Sequence, residues 1–473
     1  MRGLQKAGAA SVLWLVAASC GDDTGASETN RAQRARVNAE MDAGNPDAGS
    51  GGQALVPETK RSAPDAAVVQ AQPKQRNEAQ KPEQRPAMTP STPERDEDAG
   101  AAKPTQPTAS LEDLGQRLFQ ERALSQTGTQ SCASCHASEQ AFTGSADHDD
   151  PHLPVSRGAL GNLLGTRNAP TAMYAQYIPP FEFREQQAEY RAIGGLFWDG
   201  RANTLSEQAS QPFINLREMA LPDVPALIAK VRKLSYAAMF EPLFGANPLR
   251  DEQAAYQHLT EAIAAFERTP RFHPFSSKFD ASLRGQTPLS EPEQRGFELF
   301  KDNCISCHAG DVTSQDPQAW LFTDFSYVTL AVPRNLKIID NEDASYFDLG
   351  LCQSTVVMDK VPAAVEDKAA FLATVCGAFR TPTLRNVART QPYMHNGYFA
   401  ELRDAVDFHV SRETDAARWY ASTEGKYDDL PEQYWGNVTS EPPFDRKPGE
   451  TPRLSSEELD AVVAFLSTLS DMP

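Results

Sequence analysis

Between Gly21 and Thr108 the chain has no Phe, Trp, Tyr or Ile, and no cysteine interrupts the stretch from Cys20 to Cys132. Pro, Ala, Gln and charges of both signs fill it instead. Such a composition cannot bury enough apolar surface to offset the entropy of ordering the chain. It excludes a folded domain over residues 21–108 and predicts a disordered spacer, with an end-to-end distance on the order of 50 Å. Positive charge is also scarce: 45 Lys and Arg face 64 Asp and Glu, a net charge of −19. That balance excludes a nucleic-acid partner and fits a solvated acidic surface.

Long apolar runs are missing as well, outside the first twenty residues. MRGLQKAGAASVLWLVAASC has a basic start and an apolar stretch too short to span a bilayer as a mature helix, which reads as an export signal. Its end, LVAASC, resembles the lipobox of bacterial lipoproteins, with Ala17 where that pattern usually has Leu. The expectation is a periplasmic or cell-envelope protein, joined to the membrane only through a lipid on Cys20.

Only seven cysteines and eight histidines occur in 473 residues, yet SCASCH (131–136) and NCISCH (303–308) both spell C-x-x-C-H. Chance predicts roughly 0.002 such motifs from this composition. A zinc ribbon would pair two C-x-x-C units, but these lie far apart in the chain and each carries its own histidine. A thioredoxin-like redox motif needs no histidine there. Covalent haem remains: two thiols reach the two vinyl groups of one porphyrin, and the adjacent imidazole ligates its iron. Cys132, Cys135 and His136 are expected to hold one haem c, and Cys304, Cys307 and His308 a second. The remaining pair, Cys352 and Cys376, is expected to bridge a long insertion or to be two buried thiols.

The surroundings of the two motifs repeat. LEDLGQRLF (111–119) and PEQRGFELF (292–300) both carry G-x-x-L-F, with Leu111, Leu114 and Leu118 in the first and Phe297 and Phe300 in the second at helical spacing. Ser110 and Ser290 stand as N-caps, and Ser290 with Glu293 spells a capping box. LSSEELDAVVAFLSTL (454–469) reads as a closing helix with Leu459, Val462, Val463 and Leu466 on one face. The expected fold is mainly α, with two cytochrome c-like haem domains (109–275 and 276–473) and long loops.

Five blocks, LGQRLFQERALS, SCASCHASEQAFTG, TRNAPTAMY, LFWDGRANTLSEQASQPFINLREM and FRTPTLRNVARTQPYMHNGYF, resemble in order the signature blocks of the bacterial di-haem cytochrome c peroxidase and MauG family. The likeness runs from about residue 110 to 470 and is loose over 311–378. It implies a peroxidatic haem on His136, with Glu218 as the distal glutamate, Gln208 as its polar neighbour and Trp198 between the haems. It also implies a calcium ion held by the Asn168 side chain and the carbonyls of Thr390 and Pro392, an oxygen set suited to that ion. Family members commonly place Met or Tyr fourteen residues after the histidine of PYMHNG; counting from His395 gives His409. His409 is the expected sixth ligand of the second haem, with Met394 or another group as the alternative. A resting-state histidine on the loop after the first motif would be His152 or His148. His258 and His273 receive no role.

Three functions follow. The first is reduction of hydrogen peroxide to water with electrons from a small redox protein, a cytochrome c or cupredoxin. The second is MauG-like oxidation of side chains of a protein substrate through high-valent haem, which the departure at His409 favours because an imidazole lowers the reduction potential relative to Met. The third, a two-haem electron carrier, leaves Glu218 without a purpose. Relatives of this kind are often homodimers.

Overall fold

The structure, a computed structural model, describes residues 109–144, 153–161, 163–187, 189–421 and 426–472. Cys20, the spacer, His148 and His152 lie outside the described residues. Helices α1 (Leu111–Gln120), α2 (Cys132–Cys135), α3 (Leu205–Ile214), α4 (Glu252–Glu267), α5 (Glu291–Asn303), α6 (Leu402–Ser411) and α7 (Ser456–Ser467) position the site, with further helices such as Val224–Val231 and short helical turns between them. Sheet structure among the described residues amounts to two antiparallel pairs, β1 (Glu182–Gln186) with β2 (Glu189–Ile193) and β3 (Tyr327–Val328) with β4 (Phe379–Arg380). The expected mainly helical fold with long loops is what forms.

The two leading helices start where their caps place them. Ser110 accepts from the Asp113 amide at 3.0 Å, and Ser290 and Glu293 exchange the two bonds of a capping box. Helix α1 buries Leu114, Leu118 and Phe119, while α5 buries Leu299 and Phe300; Leu111 and Phe297 are only half-buried. Helix α7 packs Leu459, Val462, Phe465 and Leu466 inward, with Val463 at the edge of that face.

Each leading helix crosses a closing helix at its glycine. A Cβ on Gly115 would overlap the Ala262 carbonyl of α4 and come within 2.8 Å of the Phe266 Cβ. A Cβ on Gly296 would overlap the Ala461 carbonyl of α7 and come within 2.9 Å of the Phe465 Cβ. The repeated G-x-x-L-F is therefore a repeated backbone-to-backbone crossing, and α4 is the counterpart of α7 in the first half. Replacing a mid-helix Gly by Ala ordinarily gains about 1 kcal/mol. At Gly115 or Gly296 overlap reverses the sign, and Gly→Ala is expected to lower stability by about 1–3 kcal/mol, measurable as a lowered unfolding midpoint.

Two cores result, one drawn from residues 114–275 and one from 279–469, each with an aromatic centre. Phe119, Phe142, Phe266 and Phe272 meet edge to face in the first; Phe279, Phe300, Trp320, Phe322 and Phe465 do so in the second. A third, smaller cluster joins the β1/β2 hairpin to the 311–378 insertion through Phe181, Phe183, Leu351, Val357 and Ala378. Cys352 and Cys376 are disulfide-bonded within that insertion. Deep between the larger cores, Arg385 pairs with Asp280 at 2.9 Å, both side chains at 0% exposure, and also donates to the carbonyls of Trp320 and Pro317.

Candidate active site

The first C-x-x-C-H motif opens onto a cavity of about 460 Å³ lined by Cys132, Cys135 and His136. The His136 Nδ1 lies 2.9 Å from the Phe142 carbonyl, which can only accept, so Nδ1 carries the proton and Nε2 keeps its lone pair. Burial lowers the His136 pKa, with the Phe142 carbonyl acting against it. Phe142 holds that carbonyl in place from a left-handed conformation, φ 55°. The same cavity collects Gln208 from the middle of α3 and Glu218 from the turn after it. That turn is fixed by the Ala159 amide donating to the Glu218 carbonyl at 2.7 Å and by Asn215 Nδ2 donating to Glu218 Oε1 at 2.9 Å. Burial raises the Glu218 pKa, and Arg201 and Asn215 draw it part of the way back.

The second motif repeats the device. Cys304, Cys307 and His308 line a cavity of about 250 Å³, and His308 Nδ1 faces the carbonyl of Phe322 at 3.2 Å, again from a residue at positive φ, 54°. His409, on α6, lines the same cavity with its Nδ1 donating to Ala405 at 2.7 Å, which leaves Nε2 free. Burial lowers both His308 and His409 to about 4, with the proximity of His308 contributing at His409, which keeps both rings neutral. Met394 also borders this cavity.

The two cavities share a wall that includes Asn168, Pro170, Ile178, Trp198 and Arg380. Trp198 donates its indole N–H to the Asn168 carbonyl at 2.8 Å. Asn168 donates its side-chain amide to the Pro392 carbonyl at 2.6 Å and its backbone amide to His395 at 2.7 Å. Thr390 lies in the wall of the second cavity, so the three oxygen-bearing residues singled out for calcium converge on one neighbourhood. Among the described residues no cluster of His, Cys, Asp or Glu has the makings of a metal site; neutral carbonyl oxygens are what this place offers. His258 stacks on Phe244 at 4.1 Å and bonds the Pro248 carbonyl, a packing role.

Two residues were not legible beforehand. Arg380 is buried, donates to the Phe197 carbonyl at 3.2 Å, and has no ion pair among the described residues. A buried guanidinium facing both cavities suits the carboxylate of a porphyrin propionate, and cavities of this size far exceed the voids of a packed interior. The polypeptide thus fits two haems. Glu267, the last residue of α4, lines the first cavity at 6% exposure with Oε2 unbonded. Burial pushes it up to about 8, against the pull of Arg268. Its protonated form favours the folded state fully below about 4.5, the ordinary value, and that contribution is lost as the pH climbs to about 8. Unfolding midpoints of wild type minus Glu267→Gln, followed across this window, are expected to fall with rising pH.

The family model for di-haem cytochrome c peroxidase matches residues 109–288. The methylamine utilization protein MauG of Paracoccus denitrificans is 36% identical over 388 residues, covering 79% of this chain and 92% of that protein. The cytochrome c551 peroxidase of Nitrosomonas europaea is 29% identical over 311 residues, covering 64% and 73%. Among solved structures, the diheme peroxidase BthA of Burkholderia thailandensis superposes with a TM-score of 0.69 at 38% identity, covering 77% of this chain and 86% of that one. With likeness of that extent, on a fold whose halves repeat the same histidine-holding turn, this chain belongs to the di-haem cytochrome c peroxidase and MauG family.

Proposed function

We propose that the protein is a di-haem c-type peroxidase that reduces hydrogen peroxide to water with electrons from a small redox protein, a cytochrome c or cupredoxin. One observation carries the reading: Glu218 and Gln208 line the His136 cavity, while Trp198 stands in the wall shared with the His308/His409 cavity. Cys132 and Cys135 would bind one haem with His136 on its iron; Cys304 and Cys307 would bind the other between His308 and His409. The bound haems supply the iron and the electrons for O–O cleavage. Glu218 takes the proton from the nearer oxygen of peroxide and delivers it to the departing one, and Gln208 orients the molecule. Arg380 neutralises a propionate, and Trp198 offers a path between the two sites. The export-type leader and the Cys352–Cys376 disulfide support a place outside the cytoplasm, with Cys20 as a lipid anchor. Calcium at Asn168, Thr390 and Pro392 belongs to the same reading. Peroxide-dependent oxidation of a reduced c-type cytochrome or cupredoxin by the haem-loaded enzyme tests the function; no turnover with either class of donor rejects it.

A second reading has its own observation. His409 beside His308 offers two imidazoles to one iron, which lowers its potential and eases removal of further electrons. This favours MauG-like oxidation of side chains of a protein substrate. His409→Ala is expected to convert the low-spin absorption and EPR signature of the second haem to high-spin while haem content stays at two. An unchanged spectrum would assign the ligand elsewhere, with Met394 next in line.

A further inference from the structure

An aromatic series starts at the wall of the second cavity. Ala331 and Leu430 line that cavity. The Tyr420 hydroxyl donates to the Ala331 carbonyl at 2.7 Å, and the Trp435 indole donates to the Leu430 carbonyl at 2.9 Å. Between them stands Tyr427, with ring centroids 5.6 Å from Tyr420 and 5.7 Å from Trp435, both edge to face. Tyr420 is buried; Tyr427 and Trp435 are partly exposed.

Edge-to-face packing alone is ordinary. Two details separate this series from packing. It is continuous from the cavity wall to a partly exposed indole, whereas Trp320 and Trp419 are buried in the second core. The Tyr427 hydroxyl also donates to Glu413 Oε1 at 2.7 Å, and Glu413 is kept as a carboxylate by Arg412 at 2.8 Å and by Lys426. A tyrosine is oxidised readily only when its proton has somewhere to go. Tyr420 reaches a carbonyl, which cannot take it; Tyr427 reaches a base.

We propose that Tyr427 and Trp435 form a relay carrying oxidising equivalents from the second haem site to the surface, where a protein-borne electron donor docks over Trp435. The proposal rests on the peroxide chemistry proposed above, which supplies the oxidant. When the second site is one electron short, Tyr427 gives it one electron and its O–H proton passes to Glu413. Trp435 then gives one electron to the tyrosyl radical, and the proton returns from Glu413 to the phenolic oxygen. Trp435 is left as a radical cation, and the docked donor restores it with one electron. Net transfer is one electron from donor to the second site, with no proton consumed.

The test uses the haem-loaded full chain, treated with one equivalent of hydrogen peroxide and no reductant, in wild type, Tyr427→Phe and Trp435→Phe. Haem content and circular dichroism confirm that each variant is folded. Peptide mapping is expected to find oxygenated Trp435 in wild type above Trp198, Trp320 and Trp419, and several-fold less of it in Tyr427→Phe. The peroxide-induced haem spectrum is expected to decay several-fold more slowly in both variants. A responsive haem spectrum with Trp435 unmodified, or with decay unaffected by both substitutions, overturns the relay alone. A wild-type spectrum indifferent to peroxide overturns the peroxide reading and the relay with it.

Discussion

Glu218→Gln is expected to lower peroxide turnover by about 10²–10⁴-fold, the range a positioned proton-transfer group contributes, while two haems remain bound. The glutamine keeps the size of the side chain and its contact with Asn215, so the cavity should hold its shape; what it loses is the ability to accept and return a proton. The wild-type environment suits that task. Burial raises the pKa of the carboxyl, and Arg201 and Asn215 act against that rise. Steady-state peroxide reduction, with haem absorbance as the control for integrity, reads the effect directly. A variant that turns over at the wild-type rate removes Glu218 from the chemistry and leaves Gln208 as the polar group facing peroxide.

The largest expected loss of stability lies at Asp280. Asp280→Ala should destabilise the folded chain by about 3–5 kcal/mol, the cost of leaving a buried charge without its partner. Arg385 would retain its bonds to the Trp320 and Pro317 carbonyls, but neither neutralises a guanidinium at 0% exposure. The damage also spreads along the chain: Asp280 accepts from the Ser277 amide and hydroxyl at the start of its own helix. The Arg385 guanidinium in turn sits 4.9 Å from the Tyr174 ring and 4.5 Å from that of Phe275, side chains of the other core. Natural stabilities run to about 5–15 kcal/mol, so this single change is comparable to a fifth or more of the total. Denaturant unfolding of the haem-loaded protein measures it; a loss below about 1 kcal/mol would mean that water or rearrangement solvates the arginine.

What the sequence discloses here follows from what is local. Caps at Ser110 and Ser290, the periodic faces of α1, α5 and α7, and the two haem-type motifs are each encoded within a few residues, and they form where the spacing puts them. The role of Gly115 and Gly296 needed the partner helix to be seen, because the repeat shows that a glycine recurs and not what presses against it. Glu267 ends an amphipathic helix and reads as solvated; its burial comes from segments distant in the chain that meet around the first cavity. Arg380, Tyr427 and Trp435 belong to segments without periodicity, whose contacts are set by the tertiary fold. The β1/β2 hairpin was missed for another reason: its alternation of Phe181, Phe183, Tyr190 and Ala192 spans few residues and is diluted by exposed charges.

Asn168 has a consequence of its own. Its carbonyl grips the indole of Trp198, its side chain reaches Pro392, and its amide hangs from His395. Three anchors on one residue tie the tilt of that indole to the loop at 390–395, so a displacement of that loop would carry with it the wall that the two cavities share.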